Sequence, residues 1–498
     1  MSWLNRGILS IRVYNSWSRL VTFNSQVRFL SGFVNHTEQD VDYFKKILGT
    51  SGVKQEELDG YNTDWLRSVT GKSKLALFPK TSSELSSILA YCNDRLIPIV
   101  VQGGNTSLVS GSVPDNDEII LSLTKMNSID KFNESTGVLQ CQSGCILETL
   151  ESYVNERGYM MPYDLGAKGS CQIGGNVASN AGGIRYIKYG SLHGSILGLE
   201  AVLPNGQILD MMSTLRKDNT GYDLKQLFIG SEGTLGVISR VSILCPIKPS
   251  TRMVTLLGVP RFNDIIQIMS TVRKTLSPYL SAFEMMDALT VDAVSTNLGL
   301  SIPFTSPFYV LFELSLSDDC DQDHITSQLH SLLENLMEQT IVSDGTISTD
   351  LSSVNKLWSI RERIAEALLA DGFCYKYDVS LEHEHYYDLV EVMRERLRST
   401  SAHRICGYGH IGDNNLHLTV TTLKRDDDAE LKSLIEPFVF EYIRDHKGSI
   451  SAEHGLGMKK RNHIYYSKSP QVVNLMKQIK SMFDPKGILN PKKMLPDN

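Results

Sequence analysis

Two histidines stand seven residues apart in a glycine-rich stretch of the C-terminal part of the chain, at His410 and His417. The residues around His417 alternate in polarity, so a strand here places His417 and Thr419 on one face and aliphatic side chains on the other. Glu453 and His454 follow in a second glycine-containing run. Two imidazoles and one carboxylate suit a divalent metal that keeps one coordination position open. The pattern therefore predicts a metal at His410, His417 and Glu453, with His454 beside it.

The first glycine-rich run of the chain, residues 102–111, directly follows a strand-helix-strand pattern. Residues 75–79 and 97–101 are typical of strands, and residues 81–93 are typical of a helix with an N-terminal hydroxyl cap. Glycine lets the backbone approach a ligand closely, and consecutive N–H groups can cradle phosphate oxygens. The run lacks the Gly-Lys-Ser/Thr of a P-loop and does not match a Rossmann fingerprint. Taken alone, it fits a tight loop between strands equally well.

Two further segments have the same character. Residues 165–183 and 230–237 are rich in glycine, alanine and small polar residues. Turns alone hardly explain three such segments in one region of the chain. Together they predict an extended groove for a large cofactor that carries a diphosphate.

These segments resemble the FAD-binding domain of the vanillyl-alcohol oxidase superfamily. The matching text is Gln-Gly-Gly-Asn-Thr at 102–106, Gly-Ala-Lys-Gly-Ser at 166–170, Gly-Gly-Asn-Val-Ala at 174–178, Asn-Ala-Gly-Gly at 180–183 and Gly-Ser-Glu-Gly-Thr-Leu-Gly at 230–236. The resemblance implies an α+β protein with a two-lobed FAD-binding domain at residues 69–248. Asn105 stands where some members tether the flavin through a histidine, which implies non-covalent FAD.

The resemblance also implies which residues contact FAD. A C-terminal Asp-Pro-x-x-x-Leu-Asn-Pro is similar to the segment that returns to the flavin in FAD-linked 2-hydroxy-acid dehydrogenases and oxidases. The implied contacts are Gly103, Gly104, Asn105, Thr106, Ser107, Gly169, Ser170, Gly175, Asn176, Asn180, Gly233, Val237 and Asn490.

Prolines at 246–249 mark a domain boundary. We expect an α+β, ferredoxin-like substrate or cap domain at residues 250–400 and a C-terminal domain with a helical segment at residues 401–498. Residues 250–350 show no pattern that indicates chemistry. Beyond them, a predicted helix at 357–372 carries Arg361 and a predicted strand at 375–380 carries Lys376. These two cations could bind a carboxylate, although a surface helix would explain Arg361 as well.

From about residue 40 to its end, the chain resembles mitochondrial FAD-linked dehydrogenases that oxidise D-2-hydroxyglutarate to 2-oxoglutarate. The resemblance implies zinc at the three ligands named above. It implies that His454 is the catalytic base and also contacts the substrate, and that Arg361 and Lys376 hold the substrate carboxylate. It further implies that electron-transfer flavoprotein accepts the electrons.

The chain departs from this pattern at four positions. Ala365 replaces a threonine and Thr419 replaces an asparagine, both at substrate contacts, while Asn414 and Ser107 each replace a glycine. Losing one neutral hydrogen bond costs about 0.5–1.5 kcal/mol. We therefore expect weaker selection of the substrate, with D-malate or D-lactate competing better, and retained activity.

The N-terminal residues 1–37 resemble a mitochondrial presequence, because they contain arginine, serine and aliphatic residues and no acid before Glu38. Arg28-Phe-Leu-Ser31 predicts cleavage near Leu30, and the destination would be the mitochondrial matrix. A basic tail without a targeting role is the alternative. The arginines concerned are Arg6, Arg12, Arg19 and Arg28.

The bulk composition limits the possible partners. A net charge of −7 argues against a nucleic-acid or anionic-membrane partner. No run approaches the ~20 apolar residues of a membrane span. The eight cysteines form no C-x-x-C motif, which favours reduced, buried thiols.

Two patterns imitate functional motifs. His383 and His385 resemble metal ligands but fit the exposed first turn of an amphipathic helix ending near Leu397. Gly407, Gly409 and Gly412 match the spacing of a dinucleotide fingerprint, but a strand follows where that motif requires a helix.

Three other functions remain open. A D-lactate dehydrogenase or a broad D-2-hydroxy-acid dehydrogenase would share the FAD domain and the metal motif. A metal-dependent hydrolase would use the same three ligands to activate water, but it leaves the glycine-rich segments without a role. A flavin-binding protein without activity is the third alternative, given the four departures.

Overall fold

The computed structural model describes residues 32–497, so residues 1–31, with most of the expected presequence, lie outside the described part. The first sheet of the described residues has four strands in the order β1-β2-β4-β3. Its strands β2, β4 and β3 are parallel, and α3 packs on them in one hydrophobic core. The N-cap of α3, Thr81, accepts a hydrogen bond from the Glu84 amide. In chain order the elements are α1 (Glu38–Leu48), β1 (Val53–Lys54), α2 (Asp59–Asn62), β2 (Ala76–Leu77), α3 (Ser82–Arg95), β3 (Ile99–Gln102) and β4 (Ile119–Ser122).

A second sheet has five antiparallel strands in the order β5-β6-β9-β7-β8. Together the two sheets and their helices form what we call the N-terminal lobe, residues 38–244. The elements of the second part are β5 (Ile129–Asn133), β6 (Val138–Gln142), α4 (Leu147–Asn155), α5 (Ile173–Ser179), α6 (Tyr186–Tyr189), α7 (Leu192–Ser195), β7 (Ile196–Val202), β8 (Ile208–Met211), α8 (Lys225–Phe228) and β9 (Val237–Leu244).

A seven-stranded antiparallel sheet organises what we call the C-terminal lobe, residues 251–445, with strand order β13-β10-β12-β11-β15-β16-β14. Its elements are β10 (Thr251–Val259), α9 (Phe262–Leu276), β11 (Leu280–Asp287), α10 (Ala288–Leu298), β12 (Phe308–Leu316), α11 (Gln322–Glu338), β13 (Asp344–Ser348), α12 (Leu351–Glu362), α13 (Ile364–Asp371), β14 (Cys374–Ser380), α14 (His383–Tyr386), α15 (Asp388–Arg396), β15 (Ala402–Gly409), β16 (Asn415–Thr422) and α16 (Ala429–Asp445).

The two faces of this sheet differ in polarity, because successive side chains of a strand point to opposite sides. On one face, Leu416 and Leu418 join the largest hydrophobic core, which includes residues of α9, α11, α15 and α16. On the opposite face of the same strand lie His417 and Thr419. The alternation that the sequence shows around His417 is therefore the alternation of a buried strand.

The chain ends on the N-terminal lobe. After α17 (Pro470–Phe483), the Ile99 amide donates to the Ile488 carbonyl at 2.8 Å, and the Asn490 amide donates to the Ile99 carbonyl at 2.8 Å. Ile488 and Leu489 are fully buried in the core of the four-stranded sheet. The C-terminal segment is thus a structural part of the lobe that contains the first glycine-rich segment.

Most expected elements occur, and the α+β class is confirmed. The predicted helix at 357–372 is divided into α12 and α13 at Arg363, where φ is −91° and ψ is 9°. The seven-stranded sheet contains strands from both sides of residue 400, where we expected a domain boundary. Within the described residues, no helix has the length and apolar character needed to cross a membrane.

Candidate active site

A cavity of about 190 Å³ lies between the two lobes. The N-terminal lobe contributes apolar and glycine residues and Asp164 to its wall, and the C-terminal lobe contributes most of the charged groups. The lining residues include Leu108, Leu165, Gly183 and Ile184 from the first and Arg361, Ala365, Lys376, Asp378, Tyr408, His410, His417 and Thr419 from the second, with Glu453 and His454 from the chain beyond α16.

Strand pairing brings the polar side chains of this wall together. In the antiparallel register of β14 and β16, Asp378 lies opposite His417 and Lys376 lies opposite Thr419. On the other side of β16, Tyr408 of β15 lies opposite His417. Directly opposed residues share a face and have Cβ atoms about 4.5–5.5 Å apart. Three neighbouring strands therefore present one polar patch to the cavity.

Three imidazoles converge on one carboxylate oxygen. Glu453 Oε1 lies 3.7 Å from His410 Nε2, 3.8 Å from His417 Nε2 and 3.5 Å from His454 Nε2. A zinc ion with tetrahedral bonds of about 2.0–2.1 Å places its ligand atoms roughly 3.4 Å apart. The observed separations exceed this by a few tenths of an ångström. The distances from Glu453 to the two predicted histidine ligands are therefore slightly longer than those around a zinc ion. Among the described residues, His410 does not belong to the group of side chains whose ligand atoms all lie within 4.8 Å of one another.

Asp378 is a competing ligand, because its carboxylate and the ligand atoms of His417, Glu453 and His454 all lie within 4.8 Å of one another. Its oxygens already have donors, however. Oδ2 accepts from the Glu453 and His454 amides at 3.0 and 2.9 Å, and Oδ1 accepts from Asn415 Nδ2 at 2.8 Å. We therefore assign Asp378 to the support of the ligands rather than to the ligand set.

Glu284 orients His410 from behind. Glu284 Oε1 lies 2.7 Å from His410 Nδ1, which leaves Nε2 of that ring directed towards Glu453. Asp378 stands in a similar relation to His417 and His454, with its oxygens 3.9 and 3.5 Å from their Nδ1 atoms. A carboxylate behind the distal nitrogen fixes the tautomer and orientation of a ligating imidazole.

The carboxylates of the site attract positive charge. Burial lowers the pKa of His410, but Glu284 and Glu453 more than offset this and bring the pKa to about 10. Burial and the neighbouring His410 lower the pKa of His417 to about 3. Burial raises the pKa of Glu453, but hydrogen bonding with His410 and His454 holds it well below the usual range. The carboxylates therefore favour positive charge on His410, whereas burial and His410 favour the neutral form of His417.

Two cationic side chains in the cavity have bonding capacity left. Arg361 donates from Nε to Glu284 Oε2 at 2.8 Å and stacks over the Tyr408 ring, but its buried Nη2 has no hydrogen-bond partner. The Lys376 side chain has neither a hydrogen bond nor an ion pair with any residue from 32 to 497, and burial lowers its pKa. Both cations can therefore bind an anionic ligand.

The four departures have different structural consequences. Asn414 has φ +70°, a left-handed conformation that asparagine tolerates better than other non-glycine residues, so it can stand in for a glycine. Ser107 Oγ accepts from the Val109 and Gly111 amides, which closes the loop locally. Ala365 and Thr419 both line the cavity, and Thr419 lies directly opposite Lys376 in the strand pair.

The three small-residue segments meet in the N-terminal lobe. A Cβ on Gly104 would lie 2.0 Å from the Ser170 carbonyl oxygen, so the first and second segments touch. The Gly230 and Glu232 amides donate to the Val177 and Ala178 carbonyls at 3.0 and 2.7 Å, which joins the third segment to the second. The structure thus brings together the three segments that the composition assigns to one groove.

Unpaired polar atoms and open space suit this groove to a polar cofactor. A Cβ on Gly166 or Gly175 would meet no atom within 4 Å. Several buried oxygens on or beside the second and third segments lack a hydrogen-bond partner, and buried polar atoms of this kind are normally satisfied. They are Gln172 Oε1, Asn176 Oδ1, Asn180 Oδ1 and Ser231 Oγ. These features fit the FAD that the sequence resemblance implies.

The other expected cofactor contacts fall into two groups. Gly103, Thr106, Gly169 and Gly233 lie in the three segments, and Asn490 bridges to them by accepting from the Val101 amide and donating to the Glu232 carbonyl. Asn105 has φ +54°, and its side-chain amide donates to the Gly60 and Thr63 carbonyls. Val237 is fully buried in the core of the four-stranded sheet. Its side chain therefore serves packing.

The histidine pair and the glycine pattern that resemble functional motifs lie outside the site. His383 begins α14, where its Nε2 lies 3.0 Å from the Ile411 carbonyl, and His385 packs against His446. Neither belongs to the group of metal-compatible side chains found among the described residues. Gly407 and Gly409 belong to β15, a strand.

Sequence reasoning missed two residues of the site. Residues 250–350 showed no chemical pattern, yet Glu284 of β11 holds both Arg361 and His410. The available signal was a single glutamate in a strand that is otherwise buried. Asp378 lies two residues after Lys376 on a predicted strand, so period 2 placed both on one face.

Comparison with known proteins gives a consistent result. The family described as FAD binding domain matches residues 73–212, and the family described as FAD linked oxidases, C-terminal domain, matches residues 248–494. The chain is 51% identical to the mitochondrial D-2-hydroxyglutarate dehydrogenase of Danio rerio, over 94% of this chain and 87% of the relative. It is 39% identical to a D-2-hydroxyglutarate–pyruvate transhydrogenase of Saccharomyces cerevisiae, over 92% and 94%.

A solved structure shows the same architecture. The structure of p-cresol methylhydroxylase with substrate bound has a TM-score of 0.75 to this chain at 16% identity, covering 92% of this chain and 97% of that chain. At this identity the likeness concerns the fold alone. It confirms the α+β fold of vanillyl-alcohol oxidase type expected from the glycine-rich segments.

Proposed function

Because the chain belongs to the D-2-hydroxyglutarate dehydrogenase family of FAD-linked oxidases and is an FAD-dependent dehydrogenase of D-2-hydroxy acids, we propose that it oxidises D-2-hydroxyglutarate to 2-oxoglutarate. One observation carries this choice of substrate. A single cavity holds a metal-type donor set and, apart from it, two cationic groups with unused bonding capacity, Arg361 Nη2 and Lys376 Nζ.

A dicarboxylate matches this arrangement of charge. The carboxylate beside the hydroxyl would lie at the histidine cluster, and the distal carboxylate would bind Arg361 and Lys376. Hydrogen bonds between ionised partners are roughly twice as strong as neutral ones. Glu284 already holds Arg361 Nε, while the buried Nη2 of the guanidinium has no hydrogen-bond partner. Nη2 would therefore bind the distal carboxylate, and Lys376 would supply a second contact.

We propose that His410, His417 and Glu453 hold zinc, and that the three small-residue segments with Asn490 hold non-covalent FAD. FAD bound there supplies the acceptor for the hydride, and a divalent cation at the histidines supplies a Lewis acid that lowers the pKa of a neighbouring hydroxyl.

His454 is the base that we propose for the hydroxyl proton. Asp378 lies 3.5 Å from its Nδ1, which favours the tautomer with the proton on Nδ1 and leaves Nε2 as the acceptor. Burial lowers the pKa of His454, but Asp378 and Glu453 outweigh burial and raise it. The Asp378 carboxylate would also stabilise the imidazolium formed after proton transfer.

The cellular setting and the electron acceptor complete the proposal. The name of the Danio rerio relative includes mitochondrial, and residues 1–37 contain arginine but no acid. We therefore propose import into the mitochondrial matrix and electron transfer to electron-transfer flavoprotein. We retain residues 69–248 as the FAD-binding domain, with residues 250–400 and 401–498 as substrate and C-terminal parts joined by one sheet.

A second candidate is a broad D-2-hydroxy-acid dehydrogenase that also accepts D-malate or D-lactate. Ala365 favours it, because this residue lines the cavity without offering a hydrogen bond to the substrate. Thr419 favours the broad enzyme less strongly, because it keeps a hydroxyl that can bond to the substrate at the cavity wall.

Flavin absorbance and relative substrate efficiency test the proposal. The purified full chain should show the absorbance of bound FAD, and initial rates should be measured with D-2-hydroxyglutarate, D-malate and D-lactate and an artificial electron acceptor. Losing one charge-assisted contact costs about 1.5–3 kcal/mol. We therefore expect kcat/KM for D-2-hydroxyglutarate to exceed that for D-lactate by at least about tenfold. Equal efficiency on all three would support the broad enzyme, and absent flavin would contradict both.

A further inference from the structure

The loop that carries Glu453 and His454, residues 451–459, contains no helix or strand. The C-terminal lobe holds the start of this loop through Asp378, which accepts from the Glu453 and His454 amides. Within the loop, Ser451 Oγ donates to the Gly455 carbonyl at 2.8 Å. The following contacts all come from the N-terminal lobe.

Glu232 holds the second half of the loop. Its Oε1 accepts from the Leu456 amide at 2.8 Å and its Oε2 accepts from the Gly457 amide at 2.7 Å. Both oxygens of one carboxylate therefore bind consecutive amides. A Cβ on Gly455 would lie 2.7 Å from Glu232 Oε1, so the loop also packs directly against this carboxylate.

Glu232 itself lies in the third small-residue segment, at a rigid place. Its φ is +51°, its amide donates to the Ala178 carbonyl at 2.7 Å, and its carbonyl accepts from Asn490 Nδ2 at 2.6 Å. The backbone of Glu232 is thus fixed by two parts of the groove assigned to FAD, while its side chain reaches the loop of the other site.

A second contact from the same lobe reaches the ligand directly. The Gly183 amide donates to Glu453 Oε2 at 3.1 Å. This leaves Oε1 as the oxygen that faces the three imidazoles. Gly183 has φ +88°, and a Cβ there would lie 2.1 Å from the Asp164 carbonyl oxygen, so the turn requires glycine.

We propose that Glu232 is a positioning residue of the metal site, which sets Glu453 and His454 from the flavin-binding segment of the N-terminal lobe. It touches neither the metal nor the substrate and acts only through the loop backbone. The inference rests on the proposed function in so far as it needs a metal at His410, His417 and Glu453.

Zinc affinity and a cobalt spectrum of the flavin-loaded full chain test this role. In Glu232→Gln, one loop amide loses its acceptor and faces an NH₂ group instead. We expect flavin absorbance as in the unaltered protein, zinc affinity at least about tenfold lower by chelator competition, and a shifted absorption spectrum of the cobalt-substituted protein. Excess zinc should restore turnover.

Glu200→Gln is the matched control. Glu200 is a buried glutamate of the same lobe that accepts hydrogen bonds from Ser82 and Ser239 and does not contact the loop. It should leave the zinc affinity and the cobalt spectrum unchanged. An unchanged zinc affinity and cobalt spectrum in Glu232→Gln would overturn the proposal, and so would loss of flavin with normal zinc binding.

Glu232→Asp decides the question if Glu232→Gln does not fold. It keeps the charge but is shorter by one methylene, so it should retain flavin and bind zinc more weakly; normal zinc affinity would overturn the proposal. His417→Ala separates this inference from the proposed function. If the unaltered protein binds no zinc, or if His417→Ala keeps it, the metal assignment fails and the role of Glu232 fails with it. If His417→Ala loses zinc but the Glu232 variants bind zinc normally, only the role of Glu232 is overturned.

Discussion

Glu284 joins the substrate anchor that we propose to the metal site that we propose. One of its oxygens accepts from Arg361 Nε at 2.8 Å and the other lies 2.7 Å from His410 Nδ1. The side chain of Glu284 is 1% exposed, so water does not share in these contacts. In a medium of low dielectric, such a bridge is strong and directional. The orientation of the guanidinium and that of the imidazole therefore depend on the same carboxylate.

Replacing Glu284 by glutamine should weaken substrate and metal binding together. The carboxamide has one acceptor oxygen, and its NH₂ group must face either Arg361 or His410. Arg361 also loses its counter-charge, and breaking a buried ion pair costs about 3–5 kcal/mol of folding free energy. We expect a lower melting temperature, a higher KM for D-2-hydroxyglutarate and zinc affinity reduced about tenfold. Thermal unfolding, steady-state kinetics and chelator competition measure these effects.

Glu366→Gln is the control for this change. Glu366 forms an ion pair with Arg363 on the exposed side of α13, and exposed pairs contribute little to stability. The control should keep the KM and the zinc affinity of the unaltered protein. Normal values in Glu284→Gln would contradict the idea that one carboxylate serves both halves of the site.

The metal ligands that we propose could be identified from the sequence because they rest on residue type and local spacing. His410 and His417 lie in one segment, and period 2 assigns the face of His417. Glu284 could not be found in this way, because its relation to His410 depends on the pairing of β11 with β15, where Met286 lies opposite Tyr408. Long-range strand pairing of this kind leaves no mark in local periodicity.

At the level of elements, α5 is central to the groove. It spans Ile173–Ser179 and ends at Asn180, which has φ +49°. Its first turn packs on Ser143, since a Cβ on Gly174 would lie 2.4 Å from the Ser143 Cβ. Gly175, the next residue, has no atom within 4 Å of the same position. Adjacent glycines therefore serve different purposes, one for contact with the protein and one for open space.

Replacing Gly175 by leucine should reduce flavin affinity without destabilising the flavin-free protein. Leucine forms helices better than glycine, so α5 itself is not weakened. The side chain would occupy the space that we assign to FAD. We expect flavin binding at least about tenfold weaker, or about 1.4 kcal/mol, with an unchanged melting temperature of the flavin-free form. Fluorescence titration with FAD and thermal unfolding check these two results.

Gly194→Leu is matched to this change. Gly194 also lies in a short helix of the N-terminal lobe, α7, and a Cβ there would likewise meet no atom within 4 Å. It lies outside the three small-residue segments. We expect normal flavin affinity in this variant. Equal affinities in both variants would show that the open space at Gly175 is not part of the flavin site.

Element type could be predicted from the sequence more readily than element arrangement. The cap at Thr81 and the polarity pattern of the following residues predict α3, and both are local signals. The order of strands in the seven-stranded sheet is not local. Strand β14 lies beside β16 and not beside β13, which precedes it in the chain. This order is set by how helices on both faces cover the sheet, which no single segment specifies.

For the whole molecule, a buried ion cluster joins the two lobes next to the site. Arg185 of the N-terminal lobe contacts Asp164 of its own lobe at 2.8 Å and Glu313 of β12 at 3.1 Å. Trp358 Nε1 and Ser281 Oγ also donate to Glu313. Because the cavity lies between the lobes, the relative position of metal, cationic anchors and groove depends on such contacts.

Replacing Glu313 by glutamine should loosen the contact between the lobes. Arg185 would lose one of its two counter-charges, and removal of a partner from a buried pair costs about 3–5 kcal/mol. Because Arg185 keeps its ion pair with Asp164, we expect a loss of folding free energy near the lower end of this range. Because Trp358 loses its charged partner, the tryptophan fluorescence of folded Glu313→Gln should differ from that of the unaltered protein. The same fluorescence should report the first unfolding transition.

The same change should alter the response to acid. Burial raises the pKa of Glu313, but Arg185 more than offsets this and holds the pKa below its usual range, about 4.3 in an unfolded chain. The folded state therefore binds fewer protons, so the stabilisation is complete above about pH 4.3 and is lost as the pH falls through the folded pKa. Unfolding followed from pH 7 to pH 3 should show a smaller acid-dependent loss of stability in Glu313→Gln than in the unaltered protein.

Asp292→Asn is the control, because it removes one of two carboxylates from Arg404 within a single lobe. It should keep the fluorescence of Trp358. Equal acid sensitivity with and without Glu313 would mean that other carboxylates control the contact between the lobes.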